Sequence, residues 1–244
     1  MLRGHSSEFF VNPTDREELR QLLDTISDIR DIEVRMKTGA GREFMAELAV
    51  IAIDYESVPA VLVALNDISQ RKDLEAELFR QASTDSLTGI SNRRYFIAQA
   101  EQELRRSRRF GRAMSVMMID VDHFKSINDQ HGHAVGDAVL QAVVKRAQES
   151  LRQSDFIGRI GGEEFAVVLP ETSQAAAREV AERLRAHLAE KPIVAERLAI
   201  PSSVSIGVAE MNETDSGIHA LMGRADGALY RAKNGGRNRV ECAA

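Results

Sequence analysis

The sequence predicts an α+β protein, a sheet covered on one face by helices, with a smaller α+β segment ahead of it. Two observations carry this. From residue 83 onward, apolar runs of strand length alternate with stretches of helical period, in the order βα-ββ-αβα. Before residue 68, one helical stretch is followed by three strand-like runs, the first of them alternating with the period of two.

In order, residues 13–30 ("PTDREELRQLLDTISDIR") read as a helix, with Pro13 near its start and Leu19, Leu22, Leu23 and Ile26 on one face. "DIEVRMKT" places Ile32, Val34 and Met36 on one side of a strand, "GAG" at 39–41 is a hairpin turn, and 42–54 and 59–67 are two further strands. Three strands and one helix are too few to bury two faces, so this segment needs a partner or lacks a piece. From 68 to 82 the period becomes helical. Asp67 is placed to cap, Leu74 and Leu78 stand four apart, and the other positions are mostly charged, as in a connecting helix that pairs with its copy in a dimer.

A helix at 91–110 ends in the basic run "RRSRRFGR", read as a solvated helix end. Strand 113–120, helix 135–151, strands 156–160 and 164–169, and helix 173–190 with Ala176, Val180, Leu184 and Leu188 inward come next. A strand near 202–210 precedes a last helix at 216–233, with Ile218, Leu221, Met222, Ala225 and Leu229 inward.

Composition narrows the function classes. A net charge of -5 over 244 residues gives no global field for nucleic acid. The single cysteine, Cys242, excludes an internal disulfide or a cysteine-based zinc site and fits a reducing compartment. No apolar run approaches the roughly 20 residues that span a bilayer, and "MLRGHSSEFF" lacks the apolar core of a signal peptide. The chain reads as cytoplasmic.

Three stretches carry chemistry. In "RIGGEEFAVVLP", Gly161 and Gly162 join two strands, and positive φ at such a turn is what glycine permits. Glu163 and Glu164 follow at once and face opposite ways if they continue the strand. Alone, this is a hairpin with a charged tip. In "MMIDVDHFKSINDQHGHAVGD", an apolar strand ends at Asp120, with Asp122 two residues on. A calcium loop would need Asp or Asn and then Gly where Phe124 and Lys125 stand. His131 and His133 lack a third zinc ligand at matching spacing. Hard carboxylates suit magnesium, which takes few protein ligands plus substrate phosphates. The chain has neither GxxxxGK[ST] nor GxGxxG, so phosphates would rest on loop amides and basic side chains. In "RADGALYRAKNGGRNRV", Lys233 and Arg237 flank Gly-Gly at a helix end, either as simple termination or as two cations for a triphosphate.

Together, "DSLTGISNRR" (85–94), "DVDHFKSINDQHGHAVGD" (120–137), "GGEEF" (161–165) and "AKNGGRNRV" (232–240) resemble the GGDEF-domain diguanylate cyclases, over about residues 83–241. "GGEEF" is a common variant of the family's motif, and Ile90 stands where Leu is usual. The resemblance implies an antiparallel-rich, palm-like sheet with a ferredoxin-like core, and a chain divided into 1–67, 68–82 and 83–244. It implies joining of two GTP into cyclic di-GMP. Asp120, Glu163 and the Val121 carbonyl match the binders of Mg2+, with Mn2+ able to replace it. Glu164 matches the carboxylate at the attacking 3′-hydroxyl. Phe124 and Lys125 match the phosphate loop, Lys233 and Arg237 the triphosphate cations, Asn128 and Asp137 the guanine readers. His133, Gly161 and Gly162 complete the substrate site.

One GTP per domain implies a homodimer. "RQSD", Arg152 to Asp155, matches the RxxD product-inhibition motif, with Arg183 as a further cation supplied by a partner; by itself the motif reads as a surface ion pair. "NDISQRKDLEAEL" and the strands before it resemble the end of a PAS sensor domain, here incomplete. Two other readings compete. A silent cyclic di-GMP or GTP receptor of this fold would be expected to lack metal or turn residues that are all present. A palm-like nucleotidyl transferase acting on nucleic acid would be expected to interleave basic and aromatic residues.

Overall fold

The computed structural model describes residues 6–23, 25–26 and 28–244, and the chain divides into two compact units, Met1–Phe79 and Arg80–Ala244.

In the first unit, a 3-10 turn (Ser6–Phe9) leads to α1 (Pro13–Leu23), β1 (Asp28–Lys37), β2 (Glu43–Tyr55) and β3 (Val58–Asp67). The strands form one antiparallel sheet in the order β1-β2-β3. Asn12 Oδ1 accepts the N–H of Thr14, so the helix begins at Pro13. It ends earlier than residue 30. The Leu22 carbonyl takes the Thr25 hydroxyl and the N–H groups of Thr25 and Ile26, and from Asp28 the β-branched run pairs with β2. Leu22 and Ile26 are exposed, not on the buried face; residues 24 and 27 of that expected helix lie outside the described residues. Val34 and Met36 are buried as their alternation requires, against Leu19, Ala46, Leu48 and Val50. The small core leaves β3 uncovered, with Val58, Val61, Leu62, Val63 and Leu65 all exposed.

Helix α2 runs Ser69–Ser83, its start capped by Asp67 Oδ1 on the Ser69 N–H as expected.

The second unit contains β4 (Ser91–Asn92), α3 (Arg93–Phe110), β5 (Met114–Val121), α4 (Phe124–His131), α5 (His133–Ser150), β6 (Phe156–Arg159), β7 (Glu164–Pro170), α6 (Gln174–Glu190), β8 (Ile193–Ala195), β9 (Leu198–Ile200), β10 (Val204–Glu210), α7 (Ile218–Asn234) and β11 (Val240–Cys242). Six strands form one sheet in the order β11-β10-β5-β7-β6-β4, antiparallel from β10 through β6, with β11 and β4 added in parallel at the edges.

Helices cover both faces of this sheet, not one. Met117, Ile119, Val121 and Phe165 pack with α4, α5 and α6 through Ile127, Val139, Val143 and Leu184. Met114, Val116, Met118 and Val168 pack on the opposite side with α3 and α7 through Phe96, Leu104, Leu221 and Leu229. The cause is visible in β5: all eight residues of "MSVMMIDV" are buried, and a strand buried on both faces reads as a continuous run. At Gly207 a Cβ would lie 2.0 Å from the Ala225 carbonyl oxygen, so α7 presses directly on β10. In α6 it is Ala177, not Ala176, that joins Val180, Leu184 and Leu188 inward. The short helix α4, the β8–β9 hairpin and β11 are additional to the expected elements.

Candidate active site

The carboxylates of interest meet where β5 ends and β7 begins. The register pairs Asp120 with Glu164, and the Val121 N–H reaches the Glu163 carbonyl at 3.3 Å. Asp120 is buried, and Lys233 Nζ lies 2.7 Å from its Oδ2. Burial pushes the Asp120 carboxyl above its usual value; Lys233 opposes this, and the charges of Glu163 and Glu164 reinforce it, leaving a net rise. Both glutamates are half-buried, and both bear on Asp120.

The turn between β6 and β7 is not built on positive φ. Neither Gly161 nor Gly162 is in the left-handed region. Gly161 instead leaves room for a neighbour: a Cβ there would stand 2.8 Å from Glu164 Oε2 and would push that carboxylate aside. The turn is clamped from outside. Arg159 donates from Nε and Nη2 to the Gly162 carbonyl at 3.0 and 2.7 Å, and from Nη1 to both oxygens of Asp85 at 3.0 and 3.2 Å. Asp85 also accepts the Thr88 N–H and hydroxyl. Sequence reasoning passed over Arg159 and Asp85 as site-forming residues, although both lie inside the motifs it quoted.

The left-handed His123 (φ 57) turns the chain from β5 into α4. Phe124 is a core residue, so only its backbone is available to a phosphate, whereas Lys125 is exposed. Asn128 is half-buried against Gly136, where a Cβ would lie 1.9 Å from Asn128 Oδ1. Asp137 is exposed at the fifth position of α5, whose cap is Gly132, so it does not cap that helix. His133 is the exposed first residue of α5. Arg237 is exposed in the loop after α7.

Among the described residues, no group of three or more His, Cys, Asp or Glu side chains is arranged to hold a metal by itself. The donors at the strand ends are hard carboxylate oxygens, few in number, and the charges of Glu163 and Glu164 act on Asp120. That set fits a small divalent cation that keeps water or substrate oxygens in its remaining positions.

At the far end of β6, the Arg152–Asp155 turn is closed by its backbone: Asp155 Oδ2 accepts the Arg152 N–H at 2.9 Å and Asp155 N–H donates to the Arg152 carbonyl. No ion pair joins the two side chains among the described residues. Both line a cavity of about 460 Å3 with Thr84, Gln148 and Phe156. Arg183 of the same chain reaches the Ser150 carbonyl at 2.8 Å.

Comparison with known proteins assigns the fold to a family. Residues 82–239 match the family described as "Diguanylate cyclase, GGDEF domain", and the chain belongs to that family. It is 46% identical over 166 residues to diguanylate cyclase DgcP of Pseudomonas aeruginosa, covering 67% of this chain and 24% of that protein. It is 40% identical over 181 residues to DgcM of Escherichia coli, covering 74% and 43%. The chain thus spans less than half the length of these two relatives. Among solved structures it resembles the coiled coil and GGDEF domain of DgcB from Caulobacter crescentus in complex with c-di-GMP, at 30% identity and a TM-score of 0.68, covering 72% of this chain and 93% of that one. The active GGEEF domain of a Vibrio cholerae diguanylate cyclase aligns at 38% identity with a TM-score of 0.60, covering 63% and 97%. Diguanylate cyclases of this family use a divalent metal ion. Among the described residues, no helix is long and apolar enough to cross a membrane.

Proposed function

We propose that the protein condenses two GTP into cyclic di-GMP. In each half-reaction the 3′-hydroxyl oxygen of one GTP attacks the α-phosphorus of the other, the bond to the β-phosphate oxygen breaks, and pyrophosphate leaves. Glu164 orients the attacking hydroxyl and accepts its proton. Asp120, Glu163 and the Val121 carbonyl hold Mg2+, or Mn2+ in its place. The bound ion supplies positive charge for an in-line displacement. Lys125, Lys233, Arg237 and the backbone at Phe124 hold the triphosphate, with His133 and the glycine turn at its border. Asn128 and Asp137 read guanine, since a carboxylate accepts from N1–H and N2–H together and adenine offers no such pair. Each domain holds one GTP, so two chains act face to face, and GTP as substrate places the protein in the cytoplasm. Product bound at Arg152, Asp155 and Arg183 slows the reaction.

The observation that carries this reading is the buried Asp120 opposite Glu164, with Lys233 at 2.7 Å. The test is mass analysis of products after incubation with GTP and Mg2+. Cyclic di-GMP with two pyrophosphates per molecule is expected. Binding without turnover would instead identify a receptor, and product formed only on an added oligonucleotide would identify a nucleic-acid transferase. Progress curves test the inhibitory site: the parent should slow as product builds up, and Arg152→Ala should not. Identical curves would leave the Arg152 cavity without that role.

A further inference from the structure

The second carboxylate of the strand-end motif, Asp122, is 4% exposed and faces hydroxyls and an amide rather than the cluster at Asp120. Its Oδ1 accepts the Ser205 hydroxyl at 2.7 Å; its Oδ2 accepts the Ser203 hydroxyl at 2.6 Å and the Asn238 backbone N–H at 3.0 Å. Its own N–H donates to the Ser203 carbonyl. One buried carboxylate therefore joins the end of β5, the loop before β10, β10 itself and the loop after α7. Three donors take three of its roughly four lone-pair sites.

The loop it holds is unusual in its backbone. Arg237 and Asn238 are consecutive non-glycine residues at φ 62 and φ 44. A left-handed pair persists only where its surroundings enforce it. The Asp122 bond to the Asn238 N–H is one restraint; Arg185 on Asn238 Oδ1 at 2.9 Å and the Arg237 N–H on the Ala232 carbonyl are two others. Asp122 is the buried member of the three, and the two serine hydroxyls on its carboxylate fix its orientation toward the Asn238 N–H. The Arg237 side chain, one residue from that bond, is exposed and makes no hydrogen bond or ion pair among the described residues.

We infer that Asp122 is a positioning residue: its carboxylate fixes the left-handed turn that presents Arg237 to the β- and γ-phosphates of the nucleotide. This rests on the cyclase reading above. The probes are 3′-deoxy-GTP, which lacks the attacking hydroxyl and so is not turned over, and 3′-deoxy-GMP, which lacks the outer phosphates. Asp122→Asn should weaken 3′-deoxy-GTP binding about tenfold and leave 3′-deoxy-GMP binding as in the parent. In an Arg237→Ala background, Asp122→Asn should cost nothing more. A merely structural role would lower both affinities, or give an additive double-mutant cycle, and either result overturns the assignment. Should Asp122→Asn fail to fold, amide hydrogen exchange on the parent decides: the Asn238 N–H must be protected, and exchange at the rate of an open amide overturns the inference. A parent that binds neither nucleotide removes the cyclase reading and this one with it. A parent that binds 3′-deoxy-GTP while the cycle is additive removes this one alone.

Discussion

Lys233 Nζ and Asp120 Oδ2 stand 2.7 Å apart, and the Asp120 side chain is only 8% exposed. This pair sets the charge balance of the site. Asp120 lies out of water beside two further glutamates, and Lys233 is the cation on it. With Lys233→Met, which keeps the aliphatic stem, kcat/KM for GTP should fall at least about tenfold, as expected for loss of a charge-assisted contact. In metal-free buffer the variant should be less stable by about 1–3 kcal/mol, and added Mg2+ should recover part of that loss, because an ion that binds only the folded chain stabilises it. Initial rates and thermal melts with and without Mg2+ check both. Unchanged kcat/KM would take Lys233 out of the site.

Gly136 tests how α5 sets the position of Asn128. In a helix, Ala is favoured over Gly by about 0.5–1 kcal/mol, so Gly136→Ala should not unfold the protein through its backbone. Its methyl group, however, would fall 1.9 Å from Asn128 Oδ1 and 3.3 Å from Phe124 Cζ. The flexible Asn128 carboxamide yields first and leaves the position in which it is proposed to read guanine. KM for GTP should rise several-fold with little change in melting temperature. A variant with the parent's KM would show that Asn128 does not need that placement.

The Asp85–Arg159 clamp gives a prediction in pH. Burial alone would raise the Asp85 carboxyl, but the Thr88 hydroxyl and N–H together with Arg159 outweigh it, and the net shift is below the ordinary value of 3.8. A group with a lowered folded pKa stabilises above its unfolded pKa and loses that contribution as pH falls through the folded value. Asp85→Asn should therefore cost about 1–2 kcal/mol at neutral pH, and the gap should hold down to about pH 5 and close below about pH 4. Urea titrations of parent and variant across this range check it. A gap independent of pH would assign the loss to packing rather than to charge.

Much of the candidate site was legible because the residues proposed for it are contiguous. Asp120 at a strand end, the Gly-Gly-Glu-Glu tip, and the cations after the last helix are all local patterns, and the register brings Asp120 opposite Glu164 as two such patterns imply. What was not legible is non-local. Arg159 reaches Asp85 across 74 positions, and Asp122 reaches Asn238 across 116. Neither spacing marks a sequence. The two-faced sheet was written in β5 itself, whose central run 116–119 has no polar residue on either face, yet its depth depends on α3 and α7 packing from far along the chain. Helix α4 is eight residues long and separated from α5 by Gly132 alone, so the two periods merge when read in a line.

The exposed leucines of α2 bear on assembly. Leu74 and Leu78 are 57% and 64% exposed, one turn apart on a helix whose other positions are mostly polar or charged. Residues four apart share a helix face, and apolar side chains held in water are favourable only if a partner covers them. Burying a leucine is worth about 1.5–3 kcal/mol, so covering one pair contributes on the order of 3–6 kcal/mol to association. Replacing both with Glu removes that and sets like charges opposite one another across any two-fold contact. The dimer constant should weaken by at least about a hundredfold. On the proposed reading catalysis needs two loaded domains, so the double variant should match the parent's specific activity at high protein concentration and fall below it on dilution. Parallel sedimentation should show the same midpoint as the activity loss. If the variant and the parent lose activity at the same dilution, α2 is not in the contact that brings the two domains together. If the variant is inactive at every concentration yet sediments as a dimer, the leucines act on the orientation of the domains rather than on their association.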